Sequence, residues 1–292
     1  MRLSKTLRVG LVLALPIIVY FAIFFIYPLA LLFKEAFTTP TGVLALTNFQ
    51  KMLTDPVLLT TLQNTFYYFA GSLGLEFAVG FGVAVLLYNY IGRFRTLFRT
   101  VIFVPLMVSP VVIGLMWVLL LDSQYGPIDY FIRLLGLQPL NFLGSLSLAL
   151  PSIIVANAWE YSPFVFLIIY AGLQTVPQQL YEAAAVDGMS RLQAFRYVTL
   201  PSIRGVMLVA FLLDAIGVLK GFDLIYVITS GGPGYSTYIL SFYAYKVAFV
   251  YFQTNYAAAL SLLFLAIIAT FVTIVLKFTP VEEYLGLRRG KE

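Results

Sequence analysis

Residues 181–201 read YEAAAVDGMSRLQAFRYVTLP, the most polar and helix-favouring interval in an otherwise apolar chain. Glu182, Ala183 and Ala184 lead a short helical run, and Asp187 and Gly188 stop it. Ser190, followed three residues later by Gln193, carries the pattern of a capping box for a second helix, which Leu200 and Pro201 are expected to close. The reading is a helix, a tight turn and a second helix between two long apolar stretches. A surface element this regular offers a handle to a partner.

Around this island the chain is membrane-like. Of its 292 residues 61% are hydrophobic and 11% charged, with a mean hydropathy of +0.94. Soluble domains carry about 25% charged residues, so a polytopic membrane protein is expected. There is no cysteine and no histidine, which excludes disulfides, thiolate chemistry and imidazole-ligated metals; no metal site is expected. The net charge of +5 reads as membrane orientation, not as a nucleic-acid surface.

Six spans are predicted, at about 9–33, 61–90, 100–121, 146–173, 206–229 and 256–278, within a single transmembrane domain over 1–292. The first follows Arg2, Lys5 and Arg8 and exceeds the roughly 7 to 15 apolar residues of a signal peptide, so it reads as an uncleaved anchor. The second carries Glu76 together with Gly71, Gly74, Gly80 and Gly82, which permit close helix approach. Pro105 and Pro110 predict a kinked or broken third span. A short interfacial helix is expected around Asp129 to Leu135, and Ser230 to Gly234 form a turn that no helix crosses. The Tyr- and Phe-rich residues 235–255 fit an interfacial aromatic belt.

With six spans both termini lie on one side. Thirteen Lys and Arg fall on that side, against Lys34, Lys51, Arg133 and Lys246 on the other. The positive-inside rule therefore places both termini, and the loop over 175–203, in the cytoplasm.

No catalytic motif is present, and without a phosphate-binding GxxxxGK[ST] loop no ATP binding by this chain is expected. The informative polar residues lie inside the spans, where a charge costs about 2.5 to 3.5 kcal/mol on insertion scales and is expected to face a cavity or a partner. Asn157, Glu160, Tyr161 and Phe164 share one helical face, and so do Asp214, Gly217, Val218 and Gly221. Carboxylate acceptors, aromatic faces and empty space suit a polyhydroxylated ligand. A structural reading stands beside this one: Glu160 and Asp214 pair with Lys220 or with backbone, Lys220 and Asp223 form an intrahelical pair, and Glu76 packs against a neighbouring helix or the pore wall.

The run Glu182-Ala183-Ala184, Asp187-Gly188 and Leu200-Pro201 resembles the EAA loop of permease subunits in binding-protein-dependent ABC importers. Trp159 with Pro163-Phe164, Phe222-Asp223, Thr229 with Gly231-Gly232-Pro233, and the PLMVSPVVIGLMW segment around Pro105 are similar to its carbohydrate-uptake branch, typified by the maltose importer. The resemblance implies an all-α membrane protein of the type I importer permease fold, with six transmembrane helices and a cytoplasmic coupling helix. It implies that Glu182, Ala183, Ala184, Asp187, Gly188, Leu200 and Pro201 meet a separate ATPase dimer, which binds ATP and Mg while this chain binds no cofactor. The other implied partners are a second permease, an extracytoplasmic solute-binding protein, the inner-membrane bilayer and a sugar, oligosaccharide or polyol substrate. By position Tyr161, Phe164, Asp214, Val218 and Gly221 fall on that branch's sugar path. The alternative is an ion-coupled secondary transporter in which Glu160 or Asp214 carries a proton.

Overall fold

The computed structural model describes residues 5–90 and 95–278. Arg2, Arg93 and the basic tail after Phe278, which enter the orientation argument, lie outside the described residues. Among the described residues the structure is helical, with one isolated bridge between Thr38 and Leu44. Five helices are long and apolar enough to cross a membrane, or six when one bent pair counts as a single span.

In chain order, α1 (Lys5–Phe21) runs through a π-turn, Ala22–Ile26, into α2 (Tyr27–Ala36). The short α3 (Thr47–Thr54) precedes the long α4 (Pro56–Tyr90). The region of the predicted third span holds α5 (Arg95–Met107) and α6 (Pro110–Leu120), bent by 97° to one another. Ser109 between them is extended, with ψ 136°, as the ring of Pro110 demands of the residue before it. The break expected from Pro105 and Pro110 thus falls at the second proline. The loop helix α7 (Pro127–Leu134) sits where a short helix was expected, pinned by an Asp129–Arg133 ion pair of 2.7 Å.

The central helix is α8 (Ala149–Gln174); then come α9 (Gln178–Val186), α10 (Arg191–Ala194), a π-turn at Phe195–Thr199 and α11 (Leu200–Leu219). α12 (Asp223–Ile228), α13 (Leu240–Tyr245) with a π-turn at Lys246–Val250, and α14 (Thr254–Phe278) complete the described chain.

Leu200 and Pro201 do not close the second helix of the hairpin; helix runs unbroken from Arg191 to Leu219. A helix-interior proline removes one N–H and pushes its ring against the carbonyl four residues back. Here the turn before Pro201 widens, with the Leu200 N–H bonding to the Phe195 carbonyl five residues back. The same device precedes Pro28, where the Tyr27 N–H bonds to the Ala22 carbonyl. Widened turns let both helices pass their prolines. The predicted fifth span, 206–229, falls within one apolar helical stretch, Arg191–Ile228, interrupted where α11 stops at Leu219 and Asp223 begins a separate helix. Lys220 and Asp223 are therefore not an intrahelical pair; both are exposed and no ion pair joins them.

The chain forms two compact units, one of residues 1–56 with 243–266, the other of residues 57–242 with 267–292. In the first, Asn48 Nδ2 donates to the carbonyls of Ala36 and Thr38, both at 3.0 Å. The hydroxyls of Tyr243 and Tyr256 both donate to Asp55. Ala36, Ala258 and Ala259 form a small core with Leu32, Phe49, Met52 and Leu262 around it.

In the second unit α8 is the hub, burying Val165, Phe166, Ile169 and Leu173 with Ala84 and Leu87 of α4 and Ile203 and Ala210 of α11. Gly80 sets the approach of α4 to α8: a Cβ there would lie 2.6 Å from the Ser162 carbonyl. Gly172 does the same against Val206 of α11, at 2.8 Å. Gly74 and Gly82, by contrast, face nothing within 4 Å.

The aromatic-belt reading of 235–255 is corrected in part. Tyr238 and Phe242 are buried, stacked edge-on at 5.1 Å, and Phe242 also meets Phe222 at 5.9 Å. Exposed Tyr235, Phe249, Tyr251 and Phe252 keep the belt character. The segment folds inward because its backbone and hydroxyls find partners there: Leu240 N donates to Thr65 Oγ1 at 2.9 Å, and Ser241 Oγ donates to the Gly221 carbonyl at 2.7 Å.

Candidate functional site

Two places bring chemistry together, both in the second unit. The first is the hairpin. α9 ends in a Schellman motif: Met189 N–H bonds to the Ala184 carbonyl at 2.9 Å and Gly188 N–H to the Ala185 carbonyl at 3.1 Å. That geometry requires a left-handed residue, and Gly188 supplies it with φ +75°. The predicted capping box then starts α10, with Ser190 N donating to Gln193 Oε1 at 2.8 Å and Gln193 N donating to Ser190 Oγ at 3.3 Å. A hydroxyl contact of 2.9 Å between Tyr181 and Thr199 ties α9 to the π-turn.

Of the singled-out residues, Glu182, Ala183, Asp187, Gly188 and Pro201 are exposed, Leu200 is half-buried, and Ala184 is buried. Val186 is 88% and Leu192 75% exposed, so the hairpin presents large apolar side chains beside Glu182. A cavity of about 530 Å³ lies behind it, lined by Tyr181, Arg191 and Phe195 together with Val85 and Asn89 of α4.

The second place is a polar cluster inside the spans. Tyr68 of α4 donates through its hydroxyl to Asn157 Oδ1 of α8 at 2.9 Å. Asn157 Nδ2 donates in turn to Glu76 Oε1 of α4. Asp214 of α11 lines the same cavity as Glu76 and Asn157. Hydrogen bonds thus join α4 to α8, and α11 brings its carboxyl to the same place. Glu76 is 0% and Asp214 4% exposed, and Glu76 Oε2 and Asp214 Oδ2 have no hydrogen-bond partner. In an apolar surrounding such atoms are costly unless a ligand or partner satisfies them. They border a cavity of about 40 Å³.

Of the predicted ligand faces, Asn157, Tyr161, Asp214, Gly217, Val218 and Gly221 all line this cavity. Gly217 meets nothing within 4 Å, whereas a Cβ on Gly221 would meet the Tyr68 hydroxyl at 2.8 Å. Glu160 and Phe164 do not line it. Glu160 is buried with Oε2 unpartnered, and Phe164 is half-buried.

Tyr68 was not singled out from the sequence, and Glu76 was placed against a neighbouring helix or the pore wall but not among the ligand residues. A signal for both existed: Thr61, Thr65, Tyr68, Ser72 and Glu76 recur every three or four residues along α4, and all five are buried. A polar stripe on a membrane helix marks the side turned away from lipid. Among the described residues, no group of three or more carboxylates is placed to hold a metal ion.

Residues 77–279 match the family described as the inner membrane component of binding-protein-dependent transport systems. The chain belongs to that family. A probable ABC transporter permease of Sinorhizobium fredii is 36% identical over 226 residues, 77% of this chain and 72% of that protein. The trehalose/maltose transport system permease of Thermococcus litoralis is 30% identical over 279 residues, 92% of this chain and 93% of that one. Among solved structures, a bacterial ABC transporter involved in the import of the acidic polysaccharide alginate matches with a TM-score of 0.81 at 23% identity, covering 93% of this chain and 96% of that one. The fold is that of a type I ABC importer permease, and the chain is a membrane-spanning transport subunit. Membership in this family does not favour the secondary-transporter alternative.

Proposed function

We propose that this permease translocates a sugar, oligosaccharide or related polyol inward across the cytoplasmic membrane, driven by a separate ATPase dimer that docks on the hairpin of α9 and α10. The observation that carries the reading is one of continuity. The helical run from Arg191 to Leu219 holds the hairpin's second arm at one end and Asp214, Gly217 and Val218 at the other. Arg191 and Asp214 are 23 residues apart on this run, about 35 Å at 1.5 Å per residue. A push on the hairpin is therefore delivered to the cavity through a stiff element.

The hairpin suits a docking role. Exposed Glu182 offers a charge, Ala183 leaves room for close approach, and the bare Val186 and Leu192 gain from being covered. Docking biases transport only if the ATPase prefers one conformation of the permease over the other. ATP and Mg are bound and consumed in that partner; this chain supplies the path. The reading includes a second permease, an extracytoplasmic binding protein, and cytoplasmic placement of both termini and of the hairpin.

The substrate class rests on the acceptor-rich cavity and on the Thermococcus relative, a trehalose/maltose permease. The test is to purify the complex from native membranes, reconstitute it with its binding protein, and screen saccharides for stimulation of ATP hydrolysis and ATP-dependent uptake. Stimulation by a saccharide is the expected result. Ion-gradient-driven uptake by this chain alone, or ATPase binding without solute movement, overturns the reading.

A further inference from the structure

We infer that the cavity between α4, α8 and α11 selects substrates by charge, accepting neutral or amino-bearing polyhydroxylated molecules and rejecting acidic ones. The inference rests on the saccharide reading above and narrows it.

The cavity wall carries Glu76, Asp214 and Asp223, with buried Glu160 beside Asn157 and Tyr161, and no Lys or Arg is among its lining residues. The nearest basic residue in sequence, Lys220, is exposed at the end of α11 and does not line the cavity. The remaining polar groups facing it are Tyr68, Asn157 and Tyr161, none of them cationic.

Glu76 Oε2 and Asp214 Oδ2 are buried without a hydrogen-bond partner, so the acidic wall keeps unfilled acceptor capacity. Substrate hydroxyls are donors and fit those oxygens. An ammonium on an amino sugar makes the stronger, charge-assisted version of the same contact. A uronate carboxylate adds acceptors and a like charge to a site whose lining has no counter-ion, a juxtaposition that disfavours binding. Rejection by such a wall is as much a determinant of specificity as attraction.

At about 40 Å³ the cavity holds no sugar ring; it has room for water-sized guests only. Entry requires α4, α8 and α11 to separate, and the Tyr68–Asn157–Glu76 chain spans that opening. The donors that replace this chain when it parts are then those of the substrate. The likeness to the alginate importer, at 23% identity, is one of fold and carries no substrate.

The test uses the complex of both permeases and the ATPase dimer in nanodiscs, without the binding protein, whose own selectivity would otherwise be read. Gluco-, galacto- and manno-configured disaccharides, each in neutral, 2-amino and uronate form, are titrated by calorimetry. The uronate form is expected to bind at least about tenfold more weakly than its neutral counterpart, and the amino form as tightly or more so. In the isosteric variants Glu76→Gln and Asp214→Asn, the neutral-to-uronate gap is expected to narrow to about threefold or less. Neutral-form binding in the same titrations reports that the variants are folded. Uronate binding equal to neutral binding, or a gap unchanged in both variants, overturns the charge selection while the saccharide reading stands. Binding of no member of the panel overturns the saccharide reading and this inference with it.

Discussion

The hairpin of α9 and α10 and the polar cluster around Asp214 stand at the two ends of one helical run, yet they are built in opposite ways. The hairpin is assembled from neighbours: each of its caps joins residues three to five apart, and of its functional candidates only Ala184 is buried. The cluster is assembled from strangers: Asn157 and Glu76 are separated by 81 positions, Tyr68 and Asn157 by 89, and the carboxyls are buried. The contrast fits the proposed roles: a docking element that keeps its own shape without help, and a site held by contacts between helices, which are the contacts a helix movement can break.

Four substitutions press on this contrast. The largest effect is expected from Glu182→Lys, which reverses a charge at the proposed docking face. Unpairing a buried interfacial charge costs about 2 to 5 kcal/mol, so ATP-dependent uptake in proteoliposomes should fall by about thirtyfold or more with the spans still inserted. Unchanged uptake would remove the hairpin from the coupling mechanism.

Next comes Asp214→Ala, which takes an acceptor out of the cavity wall. A hydrogen bond to a charged group contributes about 1.5 to 3 kcal/mol, and a fall in uptake of about tenfold is expected while the ATPase still assembles. If uptake kinetics stay as in the parent, the cluster is a structural lock and the ligand face lies elsewhere.

Gly188→Val follows. Nothing lies within 4 Å of a Cβ at Gly188, so only the left-handed backbone is at stake, at about 1 to 2 kcal/mol. Uptake per ATP hydrolysed should drop several-fold, and Gly188→Asn, which tolerates that conformation, should stay near the parent value. Equal loss in both variants would mean that the position works through a contact and not through the turn.

The smallest effect is expected from Ser190→Ala, which removes one half of the capping box at a cost of about 1 kcal/mol. Faster hydrogen exchange at Gln193, with uptake within about twofold, is the expected result. A large loss of transport would show that this end of the hairpin is gripped, not merely folded.

The hairpin was legible to the residue except at its end. Asp187, Gly188, Ser190 and Gln193 act through their own backbone neighbourhood, and no distant contact overrides them. Pro201 misled because its helix-breaking tendency is real but local; a widened turn at Phe195–Thr199 absorbs it. The cluster was half legible. The small-residue strip of Asp214, Gly217, Val218 and Gly221 faces the cavity as the helical period predicts. Glu160 and Phe164 share the nominal face of Asn157 and Tyr161 but fall outside the cavity wall, since a face defined by sequence spacing is wider than a wall defined by three helices. The aromatic run after Ser230 was read from its composition alone, which does not tell a Phe at the lipid interface from Phe242 packed on Phe222.

By itself the sequence determined the membrane character, the approximate spans and the hairpin with its caps and turn. Each of these depends on apolar length or on hydrogen bonds among residues a few positions apart. Only the tertiary structure decided that Tyr68 and Glu76 of α4 meet Asn157 of α8 and share a cavity with Asp214 of α11. The rotation of one helix against another is set by side-chain packing at points such as Gly80 on Ser162 and Gly172 on Val206. No local propensity in the chain specifies that rotation.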